Sequence, residues 1–236
     1  MPEKPGTASG YTPEHLELVR STCLYVATKL GDLMEELVIV GGLAPSLLID
    51  HLNLPDGADS HVGTTDLDVG LTVALLDEER YAILTERLRD IQPDFAALIA
   101  PGLHLAFLDR RRVTLSGKTF WGEEATRDVW VCGAGAYIVL KALAFRDRGE
   151  NKDAYDLFYA IRNFGVGVSD VADAVRPLMD DPSAVRAAEI LEQDSSDHDA
   201  VGPRRVAEFL TRRPDDAIQA DAAGFVRELL ALLQEG

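Results

Sequence analysis

Two aspartates stand two positions apart in the segment Thr64-Thr65-Asp66-Leu67-Asp68. The alternation of apolar residues that follows predicts a strand from Asp66 to about Val73, with Asp66 and Asp68 on one face. Carboxylates at positions i and i+2 of a strand lie about 6 to 7 Å apart. This spacing suits a two-metal phosphoryl-transfer site, in which the metals lie about 3.5 to 4 Å apart. The alternative is a pair of aspartates on the wet face of an edge strand.

A glycine pair upstream of these aspartates is typical of a phosphate-binding turn. The β-branched run at residues 37–40 predicts a strand, and residues 43–52 return to a helical pattern. The backbone amides of Gly41 and Gly42 between them would contact a phosphate where a side chain would obstruct it. Three hydroxyl residues complete the predicted nucleotide-binding surface: Ser46, Thr64 and Thr65.

Cations are supplied by a second motif, Lys141-x-x-Ala144-x-x-x-Arg148-x-x-x-Lys152-Asp153-x-x-Asp156-Leu157. Its spacing predicts Lys141 and Arg148 on one helix face, and Lys152 with Asp156 on one side of the next helix. We expect the three cations to neutralise phosphates, and we include Lys141 and Asp156 among the catalytic candidates with Asp66 and Asp68.

The same motif also fits a purely structural role. Lys152 would then pair with Asp156, and Arg148 with Glu150 or Asp153, in an ion-pair network of little energy and no function. If the motif's first lysine faces the carboxylate strand instead, its replacement by Met should shift stability by under about 1 kcal/mol. Under that hypothesis, Asp156 would either orient Lys152 or approach the metals as an additional acid.

The charge of the chain is unevenly distributed. Its 236 residues carry a net charge of -17, which argues against general nucleic-acid binding because such binding needs lysine and arginine to neutralise phosphates. Residues 110–152 nevertheless contain nine basic and five acidic side chains. A positive region in an acidic protein can focus a phosphate-bearing ligand onto one site. For Arg110 to Arg112 alone, solvated arginines on a hairpin are the simpler interpretation.

Cysteine content and hydropathy bear on the compartment. The two cysteines, Cys23 and Cys132, lie far apart inside apolar stretches, so neither a disulfide framework nor a zinc site is predicted. Residues 1–10 lack the apolar core of a signal peptide, and the most apolar later segment, residues 134–145, is interrupted by Lys141. We therefore expect a cytoplasmic protein that does not enter membranes.

The order of the predicted elements indicates an α/β (α+β) fold, with a small mixed sheet flanked by helices and an all-α C-terminal lobe. We place the division between residues 1–133 and residues 134–236. Thr12-Pro13 should begin the first helix and Gly31 should end it. Further strands are expected at 103–108, 113–116 and 128–132, and helices at 78–89, 136–148, 152–163, 169–179, 183–193, 203–212 and 219–234.

In this order, the motifs resemble the AbiEii/AbiGii toxin family of nucleotidyltransferases, distant relatives of DNA polymerase β in fold. The resemblance covers residues 37–164. Gly41-Gly42-Leu43-Ala44 matches the family's glycine turn, Thr64 to Asp68 its Thr-x-Asp-x-Asp strand, and Lys141 to Leu157 its Lys-x-x-Ala-x-x-x-Arg and Lys-Asp-x-x-Asp-Leu signature.

This resemblance implies a sheet of the nucleotidyltransferase type and Mg²⁺ held by Asp66 and Asp68. The implied activity is transfer of a nucleotide from a nucleoside triphosphate to an RNA, transfer RNA in some members, or to a protein. Some members are the toxic arm of a toxin–antitoxin or phage-defence pair, which makes an antitoxin protein an expected partner.

Two departures from the family pattern bear on activity. The family usually has an arginine shortly before the Thr-x-Asp-x-Asp strand, where this chain has His61-Val62-Gly63. A third carboxylate is also expected from a later strand, but residues 89–93 predict no such strand, and Asp109 is the nearest substitute. The alternative function is therefore a catalytically weak or inactive module of this fold that binds a nucleotide or a partner protein.

Overall fold

The computed structural model describes residues 4–50, 54, 59–71, 78–91 and 100–235. Within these residues, a four-stranded mixed sheet packs with helices and is followed by a helical C-terminal region, which confirms the predicted α/β class. The strands are Leu37–Val40 (β1), Asp68–Leu71 (β2), Arg110–Lys118 (β3) and Glu124–Cys132 (β4). The helices are Pro13–Leu30 (α1), Ala44–Leu48 (α2), Glu78–Ile91 (α3), Leu105–Leu108 (α4), Ala134–Arg148 (α5), Asn151–Asn163 (α6), Val168–Val175 (α7), Pro182–Ser195 (α8), Val201–Thr211 (α9) and Asp216–Gln234 (α10).

The sheet has the strand order β2-β1-β4-β3. Strand β1 pairs antiparallel with β2 and parallel with β4, and β3 pairs with β4 as a hairpin. Residues 37–39 of β1 are fully buried, which is expected for a continuous apolar run at the centre of a sheet covered on both faces. The register places Val40, the last residue of β1, opposite Asp68, the first residue of β2. The glycine turn therefore leaves the sheet where the aspartate segment enters it.

Helix α1 begins and ends at the predicted residues. The backbone N–H of His15 donates to the Thr12 hydroxyl, Pro13 occupies the first turn, and the His15 ring accepts from the Thr12 N–H to complete a capping box. Gly31 ends the helix with φ of 61°, a left-handed value that glycine adopts at little cost. The predicted helices after residue 134 are also observed, each within a few residues of its expected bounds.

The strand predicted at residues 103–108 is wrong. Residues 101–104 form a turn, in which the Leu105 N–H donates to the Gly102 carbonyl oxygen, and Leu105–Leu108 is a short helix closed by donation from the Asp109 N–H to the Leu105 carbonyl oxygen. Periodicity alone does not separate a short apolar strand from a short buried helix. The preceding Pro101-Gly102 pair, with Gly102 at φ of 77°, favours the turn that starts this helix.

The buried core runs through both halves of the chain. It joins Ile39 of β1 and Tyr137 of α5 to Leu229 of α10 in one hydrophobic cluster. The division at residue 133 stays a prediction. The C-terminal end of the strand predicted to reach Val73 lies outside the described residues, and so do residues 92–99, which include the end of the segment 89–93 where a third carboxylate was sought. In the described part, no helix combines the length and the apolar character needed to span a bilayer.

Candidate functional site

A concave pocket lies where the glycine turn and the aspartate segment meet the junction of α5 and α6. Side chains from both sequence motifs line it, although they are far apart in the chain. The lining consists of Lys4, Tyr11, Gly42, Thr64, Thr65, Asp66, Asp68, Lys141, Arg148, Glu150, Lys152, Asp153 and Asp156. The structure thus brings together most of the residues that the sequence singled out.

The glycine turn is shaped by close approach to the aspartate segment. Gly41 has φ of 68°, and a Cβ atom there would lie 2.1 Å from Oδ2 of Asp68. A Cβ atom on Gly42 would lie 2.7 Å from Oγ1 of Thr64. A side chain at either position would have to displace Asp68 or Thr64, so the two glycines let the backbone pass this close without strain. Ser46 lies outside the lining, and its hydroxyl donates to the carbonyl oxygen of Leu43 at 2.8 Å.

Asp66 and Asp68 both line the pocket, but Asp66 does not lie on the strand. Strand β2 starts at Asp68, because its partner β1 ends opposite that residue and the chain then turns at Gly41. The backbone N–H of Asp66 donates instead to the Thr64 hydroxyl at 3.3 Å. Such a local bond offers the backbone an alternative to the ladder of the sheet. The prediction that Asp66 and Asp68 share one face of a strand is therefore wrong, although both side chains line the same pocket.

The two aspartates differ in their partners. Asp66 forms an ion pair with Lys4 at 2.7 Å. The Asp68 side chain is accessible to solvent, and within the described residues its carboxylate has no ion pair. Partial desolvation in the concavity raises the pKa of Asp68, and the neighbouring Asp66 adds to this rise while Lys141 opposes it. Asp68 is thus an accessible carboxylate whose charge no described cation pairs with, which leaves room for a divalent cation beside it.

Lys141 lies at the base of the pocket between two carboxylates. Its ammonium donates to Oδ1 of Asp153 at 2.9 Å and to Oδ2 of Asp156 at 2.7 Å, and only 9% of its side chain is exposed. Burial by itself lowers the pKa of Lys141, but the two carboxylates outweigh burial and raise it above its usual value. Lys141 is therefore a permanently charged group that holds α5 against α6.

Asp156 is the centre of a buried ion-pair network. Its carboxylate accepts from Lys141, Lys152 and His61, and the His61 Nε2 to Asp156 Oδ1 distance is 2.8 Å. Burial favours the neutral acid, yet the two lysines and His61 hold the pKa of Asp156 far below its usual range. All of its strong bonds are made to protein cations or to the imidazole, so Asp156 positions the lysines and is not arranged as a metal ligand.

His61 connects the aspartate segment to this network, a role that its sequence position did not reveal. The Gly63 N–H donates to His61 Nδ1 at 3.1 Å, which leaves the proton on Nε2 for the bond to Asp156. Burial and the charge of Lys152 lower the pKa of His61 to about 4, so the ring is neutral at pH 7. Its ring also packs against those of Tyr155 and Tyr159. The available sequence signal was that His61-Val62-Gly63 stands in the segment where the family that the motifs resemble usually has an arginine.

Arg148 and Lys152 complete the cationic side of the pocket. Arg148 forms a bidentate pair with Asp153, in which Nε donates to Oδ2 at 3.1 Å and Nη2 donates to Oδ1 at 2.9 Å. Its side chain is 45% exposed, whereas that of Lys152 is 13% exposed. Burial lowers the pKa of Lys152 despite its pairing with Asp156. The ion pairs of the structural alternative are thus present, and they line the same pocket as the carboxylates.

Asp109 lies elsewhere. Its carboxylate accepts from the backbone N–H of Ala136 at 2.8 Å, so it caps the N-terminal end of α5. The space beside Gly133 is filled by the same carboxylate, since a Cβ atom there would lie 1.8 Å from Oδ1 of Asp109. Asp109 does not contribute to the pocket lining and cannot serve as the third metal-binding acid from this position.

The basic stretch at residues 110–152 separates into two regions of the structure. Its second half supplies the pocket cations described above. Its first half lies on β3, where the guanidinium groups of Arg110 and Arg112 stand 4.3 and 4.9 Å from the centre of the Trp130 ring. Arg112 also pairs with Glu35 at 2.8 Å. These arginines therefore lie on the surface of the hairpin, as predicted by the interpretation of residues 110–112 as solvated arginines.

The donor set at Asp66 and Asp68 fits Mg²⁺ only as part of a ternary site. Among the described residues, no group of three or more histidine, cysteine or acidic side chains is arranged to hold a metal. Mg²⁺, however, is commonly bound by one or two carboxylates together with phosphate oxygens and water. Two accessible carboxylates beside a cationic wall meet that requirement, with the remaining ligands left to the substrate.

The pocket as a whole has no excess of positive charge. Its lining contains four cationic side chains and five carboxylates. A triphosphate entering alone would meet a slightly negative site, whereas one that arrives with divalent cations would be neutralised. The charge balance therefore favours a metal-bound anionic ligand over a free one.

Comparison of the chain with protein-family models, with curated proteins and with solved structures finds no match.

Proposed function

We propose that this protein is a Mg²⁺-dependent nucleotidyltransferase of the kind that its motifs resemble. The observation that supports this proposal best is the convergence of the aspartate segment, the glycine turn and the cationic motif on one pocket. A structural ion-pair network would not require Asp68 to stand beside it without a paired cation. Metal-dependent phosphoryl transfer does require accessible carboxylates and cations within one site.

Each residue has a distinct task in the proposed reaction. Asp66 and Asp68 would hold Mg²⁺, which when bound would stabilise the negative charge of the triphosphate and of the leaving pyrophosphate. Arg148 presents the most exposed cation of the second motif and would contact the phosphates directly. Lys141 and Lys152 are largely buried, so their charges would act through the field of the pocket. Gly42 would let the triphosphate approach the backbone.

An acceptor hydroxyl would attack the α-phosphorus, and the pyrophosphate would leave. Asp153 and Asp156 are both engaged by cations, so neither carboxylate is free to take the proton of the attacking hydroxyl. We extend the proposal to an RNA or protein acceptor, with transfer RNA as one candidate, and to a toxin that acts in the cytoplasm with an antitoxin partner. These extensions rest on the family resemblance alone.

The proposal is tested by incorporation of label from α-³²P nucleoside triphosphates into total RNA and total protein in the presence of Mg²⁺. Wild type should incorporate label, and the Asp66→Asn/Asp68→Asn variant should not, because the metal loses both protein ligands. Asp90→Asn is the matched control, since Asp90 is an exposed acid on α3 outside the pocket. Equal incorporation by wild type and by the double variant would refute the assignment.

The second candidate is a non-enzymatic module that binds a nucleotide or a partner protein. It is favoured by one specific observation: Lys141, Arg148 and Lys152 are each already paired with a carboxylate. Calorimetric titration with the four nucleoside triphosphates, with and without Mg²⁺, separates the two candidates. Binding without turnover over a broad set of acceptors would support the module, and turnover would exclude it.

A further inference from the structure

Residues 4–12 place two side chains in the pocket from outside both sequence motifs. Lys4 and Tyr11 belong to its lining, and neither was among the predicted site residues. The Tyr11 ring lies 5.3 Å from the ammonium of Lys152 and 5.9 Å from the ring of Phe209 on α9. This segment therefore joins the helical C-terminal region to the mouth of the pocket.

The position of Lys4 is set by the chain that follows it. Thr12 caps α1, and Ser9 accepts a hydrogen bond from Arg212 at the end of α9. Before Thr12 the chain folds back on itself and brings Pro5 against Gly10, where a Cβ atom would lie 2.5 Å from Cβ of Pro5. Lys4 thus approaches the pocket from a segment that is anchored on two helices.

The ammonium of Lys4 lies 2.7 Å from Oδ2 of Asp66, and half of the Lys4 side chain is exposed. Asp66 is one of the two carboxylates that the proposed function assigns to Mg²⁺. A divalent cation bound to the same carboxylate would repel an ammonium at this distance, so the two cations compete for Asp66. Because the Lys4 side chain lies at the surface, its departure from Asp66 requires no rearrangement of the core.

We propose that Lys4 pairs with Asp66 until a divalent cation arrives and then moves to the phosphates of the nucleotide. This inference rests on the proposed function. The ammonium remains protonated throughout, and no bond is made or broken other than its ion pair. The exchange would disfavour a bare metal ion at the site and favour metal and nucleotide together, because only the nucleotide offers Lys4 a new anion.

The exchange predicts effects of opposite sign from one substitution. Lys4→Met should bind Mn²⁺ alone roughly two- to fivefold more tightly than wild type, the range expected from loss of an exposed ion pair. The same variant should bind an α,β-methylene nucleoside triphosphate with Mn²⁺ more weakly by a similar factor, because a phosphate contact is lost. Lys4→Arg keeps the charge and should behave as wild type.

The test is isothermal titration of these variants with Mn²⁺, and then with the α,β-methylene analogues of the four nucleoside triphosphates at saturating Mn²⁺. Lys118→Met serves as the control for the change in net charge, because Lys118 is exposed on β3 outside the pocket. Asp66→Asn establishes whether the measured metal binds at this carboxylate.

Tighter Mn²⁺ binding together with weaker analogue binding in Lys4→Met would support the exchange. Unchanged Mn²⁺ affinity in Lys4→Met, with reduced affinity in Asp66→Asn, would overturn the exchange and leave the metal site standing. Tighter Mn²⁺ binding with unchanged analogue binding would overturn the transfer of Lys4 to the phosphates. Mn²⁺ affinity that is absent or unaffected by Asp66→Asn would overturn both the exchange and the metal site of the proposed function.

Discussion

Replacing Lys141 by Met should destabilise the protein by about 3 kcal/mol. The sequence alone led us to expect under about 1 kcal/mol, because Met reproduces the aliphatic stem of a lysine whose charge faces a ligand. The structure changes this expectation, since the Lys141 ammonium is buried and serves two carboxylates. Removing it takes one cationic partner from each of two buried acids, Asp153 and Asp156.

The magnitude follows from the partners that remain. Removing one member of a buried ion pair costs about 3 to 5 kcal/mol, because the other charge is left uncompensated. In the Lys141→Met protein, Asp153 keeps its bidentate pair with Arg148, and Asp156 keeps Lys152 and His61. Each acid thus retains a partner, which places the expected loss at the lower end of this range.

A second substitution tests whether the lost stability comes from the uncompensated negative charge of the buried acids. Asp156→Asn alone should also be strongly destabilising, because it leaves Lys141 and Lys152 without their shared carboxylate. The double variant should lose less than the sum of the single variants. The coupling between contacting members of such a network is expected to be about 0.5 to 3 kcal/mol.

The measurement is equilibrium unfolding in urea, followed by circular dichroism and by fluorescence to check that the transitions coincide. Thermal melting should show a parallel fall of roughly 6 to 12 °C for Lys141→Met. Lys118→Met, on the exposed side of the hairpin, should stay within about 0.5 kcal/mol of wild type. A Lys141→Met protein that unfolds like wild type, or single effects that simply add, would refute the buried network.

Three further predictions concern the residues around the pocket. Burial beside Lys152 lowers the pKa of His61 to about 4, below the ordinary value of 6.5, so the folded state prefers the neutral ring. Stability should therefore fall by up to about 3 kcal/mol as the pH drops from 6.5 to 4, and urea titrations at several pH values should show this slope reduced in His61→Gln but not in His198→Gln. Gly41→Ala should lose about 1 to 3 kcal/mol in urea unfolding, since the new methyl group meets Asp68 and the backbone has φ of 68°, whereas Gly167→Ala, with open space around it, should change little. Asp109→Asn should lower the melting temperature through a weaker cap worth about 1 kcal/mol, while calorimetric Mn²⁺ binding stays as in wild type. A loss of Mn²⁺ affinity in that variant would instead return Asp109 to the metal site.

The elements with strong periodic or capping signals were predictable from the sequence. Helix α1 begins after Thr12 and ends before Gly31, because a capping hydroxyl, a proline in the first turn and a glycine at the C-cap act on the neighbouring backbone alone. The helices after residue 134 followed from apolar residues at helical spacing. The short apolar segment at residues 103–108 was misassigned because its few residues fit a strand as well as a buried helix turn. Only the neighbouring turn decides between them.

The sequence predicted most residues of the candidate site but not the hydrogen bonds and ion pairs that connect them. The motifs indicated Asp66, Asp68 and the cations of the α5–α6 junction, and the pocket contains them. The pairing of His61 with Asp156 depends on how the segment before β2 docks on α6, which no local pattern encodes. The same holds for the ion pair of Lys4 with Asp66, because these residues are far apart in the sequence and only the folded chain brings them together.

The structural and functional interpretations of the second motif are compatible, since they concern different parts of the same side chains. Asp153 and Asp156 fix Lys141 and the inner end of Arg148, which removes the entropy that free side chains would lose on binding an anion. The outer surface of Arg148 remains exposed to the pocket, whereas Lys141 is enclosed. Substitution of Arg148 is therefore expected to lower nucleotide affinity without lowering stability, because Asp153 would still be paired with Lys141. Substitution of Lys141 should lower both.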